Sequence, residues 1–199
     1  MEKNVKLKLI LLGESGSGKT SIMRQYCNGT FDENPLITIG NDFGSRTITV
    51  NDIEVKISIW DTSGGEAYKN ICWSYARHAD GVIFVFDLTQ PSSFTSLNYI
   101  YNKVTNGCSF KFNNPYPFLI VGNKTDLNKK TVSQYTIDNY KDSNNINLYY
   151  DVSAKTGENL DKAFYDLVKL ILERTEPEPD ASVPIEHIDN ENTQTWMPC

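Results

Sequence analysis

The sequence predicts an α/β fold: a six-stranded, mostly parallel sheet with one antiparallel edge strand and helices on both faces. Three observations predict it. Strand-like and helix-like segments alternate from Val5 to about Arg174, the order that winds right-handed crossover units around a parallel sheet. GVIFVFDL at 81–88 and FLIVGN at 118–123 are unbroken apolar runs ending in polar residues, which is how strands covered on both faces read. RTITV at 46–50 and IEVKISI at 53–59 instead alternate with period two around Asn51-Asp52, the mark of a hairpin with an antiparallel edge strand.

In order along the chain, VKLKLILL at 5–12 is a strand that runs into a Gly-rich turn, and a helix follows over 19–27. After the hairpin come a helix near 66–77, the strand at 81–88, a helix near 92–105, the strand at 118–123 and a helix near 132–142. INLYYDVS at 146–153 reads as a sixth strand of the same buried kind. The last helix has the clearest periodicity: Leu160, Phe164, Leu167, Val168 and Ile171 recur at three- and four-residue steps and line one face.

A chain of 199 residues suits one folded domain, 1–174, with a tail at 175–199. Its apolar fraction of 39 % and charged fraction of 22 % belong to a soluble globular protein, and its apolar runs fall far short of the roughly 20 residues a membrane span needs. The start has no small-residue cleavage site, so no signal peptide is expected and the mature chain should begin near Met1. Cys27, Cys72, Cys108 and Cys199 are scattered without a CxxC pair, which suggests reduced cytosolic thiols and argues against zinc. The tail carries six acidic residues and no Lys or Arg, so the body is formally neutral and the net charge of −6 belongs to the tail. No basic face points to nucleic acid.

After the first strand comes Gly13-Glu14-Ser15-Gly16-Ser17-Gly18-Lys19-Thr20, a GxxxxGK[ST] phosphate loop with a strand before it and a helix after. Its glycines let backbone N–H groups turn inward on phosphate oxygens, Lys19 reaches the β- and γ-phosphates, and Thr20 offers a hydroxyl to Mg²⁺. The loop alone says nucleotide and leaves open which one. Asn123-Lys124-Thr125-Asp126 and Ser153-Ala154-Lys155, at the ends of the fifth and sixth strands, name the base. The Asp126 carboxylate can accept from both N1–H and the exocyclic amine of guanine. A site built on that pair rejects adenine by about 10⁴-fold or more.

With these motifs the chain resembles a Ras-superfamily small GTPase, and within it the Rab family, from Lys8 to about Arg174. TIGNDF at 38–43 is similar to the Rab switch I signature, and WDTSGGEAY at 60–68 resembles the switch II sequence WDTAGQERF. The resemblance implies the P-loop NTPase fold of small G proteins, GTP or GDP as ligand with Mg²⁺, and a switch in vesicle traffic. It places Ser15, Gly16, Ser17, Gly18, Lys19, Thr20 and Ser21 around the phosphates, Phe31 on the base edge, Lys124 along the base and the Ala154 amide on the guanine oxygen. Asn123 would hold the base loop to the phosphate loop, and Ser153 and Lys155 would complete the base site. Thr20, Thr38 and Asp61 would serve Mg²⁺, Thr38 and the Gly64 amide would touch the γ-phosphate, and hydrolysis would involve Lys19, Thr38, Gly64 and position 65. Phe43, Trp60 and Tyr75 match the aromatic triad on which Rab effectors dock, although Trp60 reads equally well as local packing.

The resemblance further implies effectors, an exchange factor, a TBC-type GTPase activator and a GDP-dissociation inhibitor as partners of a monomer. The expected location is cytosolic, peripheral on the cytosolic face of an endomembrane. Ser63 stands in place of the family's alanine, a small change with no assigned effect, and three further positions depart from the family. Gly65 stands where a glutamine orients the attacking water, so weak intrinsic hydrolysis is expected. Pro35 replaces the tyrosine that closes over the nucleotide. The chain ends in the single Cys199, a lipidation candidate without a C-a-a-X box, where Rab proteins carry paired cysteines. One prenyl group gives marginal anchoring, and an anionic leaflet would repel the acidic tail, so a merely solvated extension ranks beside an anchor. Two competing readings remain: a hydrolysis-deficient guanine-nucleotide platform, and a small-molecule P-loop kinase, against which NKTD, SAK and WDTSGG all count.

Overall fold

The computed structural model describes residues 5–35, 38, 41–62, 79–107 and 116–174. The predicted helix near 66–77 and the tail at 175–199 lie outside them. The elements are β1 (Val5–Leu12), α1 (Lys19–Asn28), β2 (Asn41–Val50), β3 (Ile53–Thr62), β4 (Gly81–Asp87), α2 (Pro91–Gly107), β5 (Phe118–Asn123), a 3-10 turn (Thr125–Leu127), α3 (Gln134–Ser143), β6 (Leu148–Asp151) and α4 (Leu160–Arg174). The sheet runs β2-β3-β1-β4-β5-β6, with β2 antiparallel to β3 and every other pair parallel. The predicted six-stranded α/β architecture is the one observed.

Because side chains alternate across a strand, the same strands build two cores. Leu9, Leu11, Ile83, Val85, Leu119 and Val121 point to one face, where they meet Ile22, Met23 and Tyr26 of α1 and the Leu160–Ile171 stripe of α4. Ile10, Leu12, Val82, Phe84, Phe86 and Ile120 point to the other, against Phe94 and Leu97 of α2 and Ile137 and Tyr140 of α3. On the first face the Tyr26 and Phe164 rings stack with centroids 3.8 Å apart. The hairpin turns through Asn51 and Asp52, both at positive φ (49° and 61°), a combination that asparagine and aspartate tolerate best among residues with a side chain.

Two expectations need correction. The sixth strand is four residues, not eight, and all four are half-buried because β6 closes the open edge of the sheet. Ile146 packs into the α2–α3 core before the strand begins, and Ser153 leaves the ladder after it. The hairpin is also longer than its alternating pattern, pairing Asn41 with Thr62 at its far end. An edge strand keeps its backbone pairing where its exposed side chains, Asp42 among them, need not alternate.

Candidate functional site

β1, β3, β4, β5 and β6 end on one side of the sheet, and the segments that follow β1, β5 and β6 converge there, as ligand sites of parallel sheets do. Between them lies a cavity of about 410 Å³ lined by Ser15, Gly16, Gly18, Lys19, Thr20, Ser21, Phe31, Asp32, Glu33, Pro35, Thr38, Thr62, Asn123, Lys124, Asp126, Leu127, Ala154 and Lys155. Of the predicted nucleotide and metal ligands that are described, Ser17, Asp61 and Ser153 do not line it. All three are buried behind the wall.

The phosphate loop is held from below. A side chain at Gly13 would put its Cβ 2.1 Å from the Val85 carbonyl oxygen, and one at Gly18, already at φ 94°, would come within 2.2 Å of Asn123 Nδ2. Nothing larger than hydrogen fits there. Gly18 then starts α1, so the helix N-terminus opens toward the cavity. Lys19 is 5 % exposed, and its Nζ donates to the carbonyls of Gly13 (3.0 Å) and Glu14 (2.9 Å), which places the ammonium over the loop.

Beside the loop, three oxygen-bearing side chains from three segments meet. Thr20 Oγ1 donates to Asp61 Oδ2 at 2.5 Å and lies 2.8 Å from Thr38 Oγ1. Asp61 is fully buried, and its Oδ1 has no hydrogen-bond partner. Burial drives the Asp61 pKa above the ordinary carboxylate value, against the pull of the Thr20 hydrogen bond and the Lys19 charge. A buried carboxylate oxygen left unpaired among hydroxyls suits a hard divalent cation with oxygen ligands, so the residues fit Mg²⁺.

At the other end of the cavity, Asn123 spans two loops. Its Nδ2 donates to the Ser17 carbonyl at 3.0 Å, and its Oδ1 accepts the Ala154 N–H at 3.0 Å. Lys124 sits in the left-handed region at φ 76°, and its Nζ is 2.7 Å from Asp87 Oδ2. Asp126 accepts from Ser153 Oγ at 2.6 Å, and that hydroxyl in turn accepts the N–H groups of Lys155 and Thr156. Phe31 stands at the rim, 38 % exposed, and Lys155 closes on Glu33 at 2.8 Å across the mouth.

Asp32, Glu33, Thr62 and Leu127 in the wall, and Asp87 behind it, escaped the sequence reading. Leu127 follows NKTD directly, and Asp87 ends an apolar strand where polar residues were expected, so position signalled both. Glu33 carried no signal, since its pairing depends on the fold. Away from the cavity, Phe43 and Trp60 face each other across the hairpin with rings 5.7 Å apart. Phe43 is 52 % exposed, while Trp60 packs on the α2–α3 core with Lys8 Nζ over its ring at 5.2 Å. Gly64, Gly65, Tyr75 and Cys199 lie outside the described residues. Among the described residues no helix is long and apolar enough to cross a membrane.

Known proteins carry the same sequence pattern. The family model of the Ras family matches residues 8–173. The chain is 38 % identical over 167 residues to Ras-related protein Rab7 of Drosophila melanogaster, covering 84 % of this chain and 81 % of that one. It is also 38 % identical over 180 residues to Ras-related protein Rab-32D of Dictyostelium discoideum, covering 87 % and 77 %. With the Ypt/Rab-type GTPase ypt7 of Pyricularia oryzae it shares 35 % identity over 195 residues, 95 % of each chain.

Proposed function

Because the chain belongs to the Rab branch of the Ras family of small GTPases, and so is a GTP-binding switch of vesicle traffic, we propose that the cavity at the strand ends holds GTP or GDP through the residues lining it. The observation that carries this reading is the Asn123 bridge, which ties the phosphate loop to the loop bearing Asp126 and Ala154. One side chain thereby sets the distance between the grip on the polyphosphate and the grip on the base. The Ser15–Thr20 amides and Lys19 hold the phosphates, and Asp126, fixed by Ser153, accepts from N1–H and the exocyclic amine of guanine. Lys124 and Phe31 cover the base, and the Ala154 amide donates to its oxygen.

Thr20, Thr38 and Asp61 are the residues that would hold Mg²⁺. When bound, the ion neutralises charge on the β- and γ-phosphate oxygens. Thr38 and the Gly64 amide report the γ-phosphate. Their contacts order the segments around 30–43 and 62–76 in the GTP state and are lost in the GDP state. Lys19 stabilises the charge that develops during hydrolysis. Gly65 supplies no side chain to orient water, so intrinsic turnover is weak and an activator of the TBC type carries it.

Effectors read the switch at Phe43, Trp60 and Tyr75. An exchange factor and a GDP-dissociation inhibitor complete the cycle of a monomer that binds no nucleic acid. Residues 1–174 form the G domain, and 175–199 form an acidic tail whose Cys199 is the candidate lipid site on the cytosolic face of an endomembrane. Denaturing the purified protein and chromatographing the released nucleotide tests the premise: GDP or GTP is expected, and stoichiometric ATP or ADP would move the reading to a P-loop kinase. A retained guanine preference over adenine in Asp126→Ala would also overturn it.

A further inference from the structure

Asp87 is 4 % exposed, ends β4, and is not among the residues that line the cavity. Its carboxylate is nevertheless fully used. Oδ1 accepts the Thr89 N–H at 2.8 Å and the Thr89 hydroxyl at 2.7 Å, and Oδ2 faces Lys124 Nζ at 2.7 Å. The backbone beneath it is pinned as well, since the Asp87 N–H donates to Ser93 Oγ at 2.9 Å and the Leu88 N–H to the Asn123 carbonyl at 3.0 Å. A carboxylate held at both oxygens cannot turn away from the lysine.

Lys124 is the more exposed member of the pair. It has a long stem, a side chain one-third exposed, and a backbone at φ 76° that residues with a Cβ rarely adopt. Left alone, an ammonium on such a stem reaches for water. We propose that Asp87 is a positioning residue that holds the Lys124 stem along the face of the bound guanine and slows nucleotide release through that lysine alone. This rests on the guanine-nucleotide reading of the cavity. The pair acts by fixing a side chain already placed in the wall, so the release rate should change while base choice, which belongs to Asp126, should not.

The test is a double-mutant cycle on release of a fluorescent GDP analogue from the full chain. Asp87→Asn keeps an oxygen for Thr89 and presents an uncharged amide to Lys124. Alone it should speed release about tenfold, and Lys124→Met should do at least as much. On the Lys124→Met background, Asp87→Asn should change release less than twofold. The ratio of GDP to IDP affinity, which reads the exocyclic amine and hence Asp126, should stay within twofold of the parent in Asp87→Asn.

Equal acceleration on both backgrounds, or a collapsed GDP-to-IDP ratio, would show that Asp87 merely supports the loop and would overturn the proposal, as would an unchanged release rate. Should Asp87→Asn not fold, Asp87→Ser is carried through the same cycle with the same criteria. A parent protein that binds no guanine nucleotide at all would instead sink the reading of the cavity, before any variant is compared.

Discussion

Asn123 Nδ2 donates to the carbonyl of Ser17, 106 positions earlier in the chain, at 3.0 Å in a buried setting. Its own Oδ1 is taken by the Ala154 N–H, so one amide carries both halves of the cavity. Asn123→Ala leaves a buried carbonyl and a buried N–H without partners, at about 1–3 kcal/mol each. We expect a clear fall in the thermal midpoint and at least tenfold faster release of a fluorescent GDP analogue. Loss of stability with an unchanged release rate would mean that the bridge does not set the ligand geometry.

Asp61 is a fully buried carboxylate behind the cavity wall, and its raised pKa fixes the sign of its effect. Burial favours the protonated form in the folded state. Its contribution to stability is therefore fully present below the ordinary value of 3.8 and is lost as pH rises through the higher folded value. At neutral pH without metal the charge is a net cost. Asp61→Asn should match or exceed the parent's thermal stability in EDTA. With GDP, Mg²⁺ at a hundred times its dissociation constant stabilises the parent by about 2.7 kcal/mol, and the variant should lose most of that gain. Equal Mg²⁺ stabilisation of the two would remove Asp61 from the metal site.

How far the sequence exposed this site depends on whether a group acts through local pattern or through the fold. Glycine spacing, Lys19, Thr20, NKTD and SAK are local signals, and the structure brings Gly16, Gly18, Lys19, Thr20, Asn123, Lys124, Asp126, Ala154 and Lys155 to the wall of one cavity, with Ser153 behind Asp126. Asp87 and Glu33 are ordinary acidic residues in sequence. They matter because β4 ends beside Lys124 and because the segment after α1 returns to Lys155, relationships that exist only after the sheet has formed. The same distinction explains β6. Its apolar run suggested a central strand, but burial of Ile146 and Val152 comes from packing outside the ladder, and four residues are enough to close an edge.

Cys27 offers a test of packing around α1. Its thiol is half-buried against Gly44, and burial pushes its pKa above the ordinary 9.0 while the Arg46 charge pulls the other way. The thiolate is the reactive form. Alkylation by iodoacetamide, followed on the Cys27 peptide by mass spectrometry, should be slower than that of a free thiol at pH 7.5. Its rate should go on rising with pH beyond the point at which a free thiol levels off. For stability the sign is the reverse of a stabilised anion: the unfolded thiol ionises first, so stability is constant below 9.0 and declines as pH rises beyond it. Levelling of the rate near pH 8 would place Cys27 in a more polar setting than the β2–α1 contact provides.

Gly65 is the sharpest departure from the family pattern, and its effect separates a working switch from a platform held in one state. Phosphoryl transfer of this kind depends on positioning and electrostatics, with intrinsic rates in related proteins on the order of 10⁻⁴ to 10⁻³ s⁻¹. Without a side chain to hold the attacking water, the parent should fall below that range in single-turnover phosphate release. Gly65→Gln should raise the rate by about tenfold, with GTP affinity unchanged, because the added amide acts on water rather than on the bound phosphates. A TBC-type activator supplies both an arginine and a glutamine, so it should accelerate the parent as well. Acceleration by the activator identifies a switch that depends on its partner to turn off, and its absence identifies the platform. Hydrolysis by the unassisted parent at about 10⁻³ s⁻¹ would mean that another group orients the water and that Gly65 does not limit turnover.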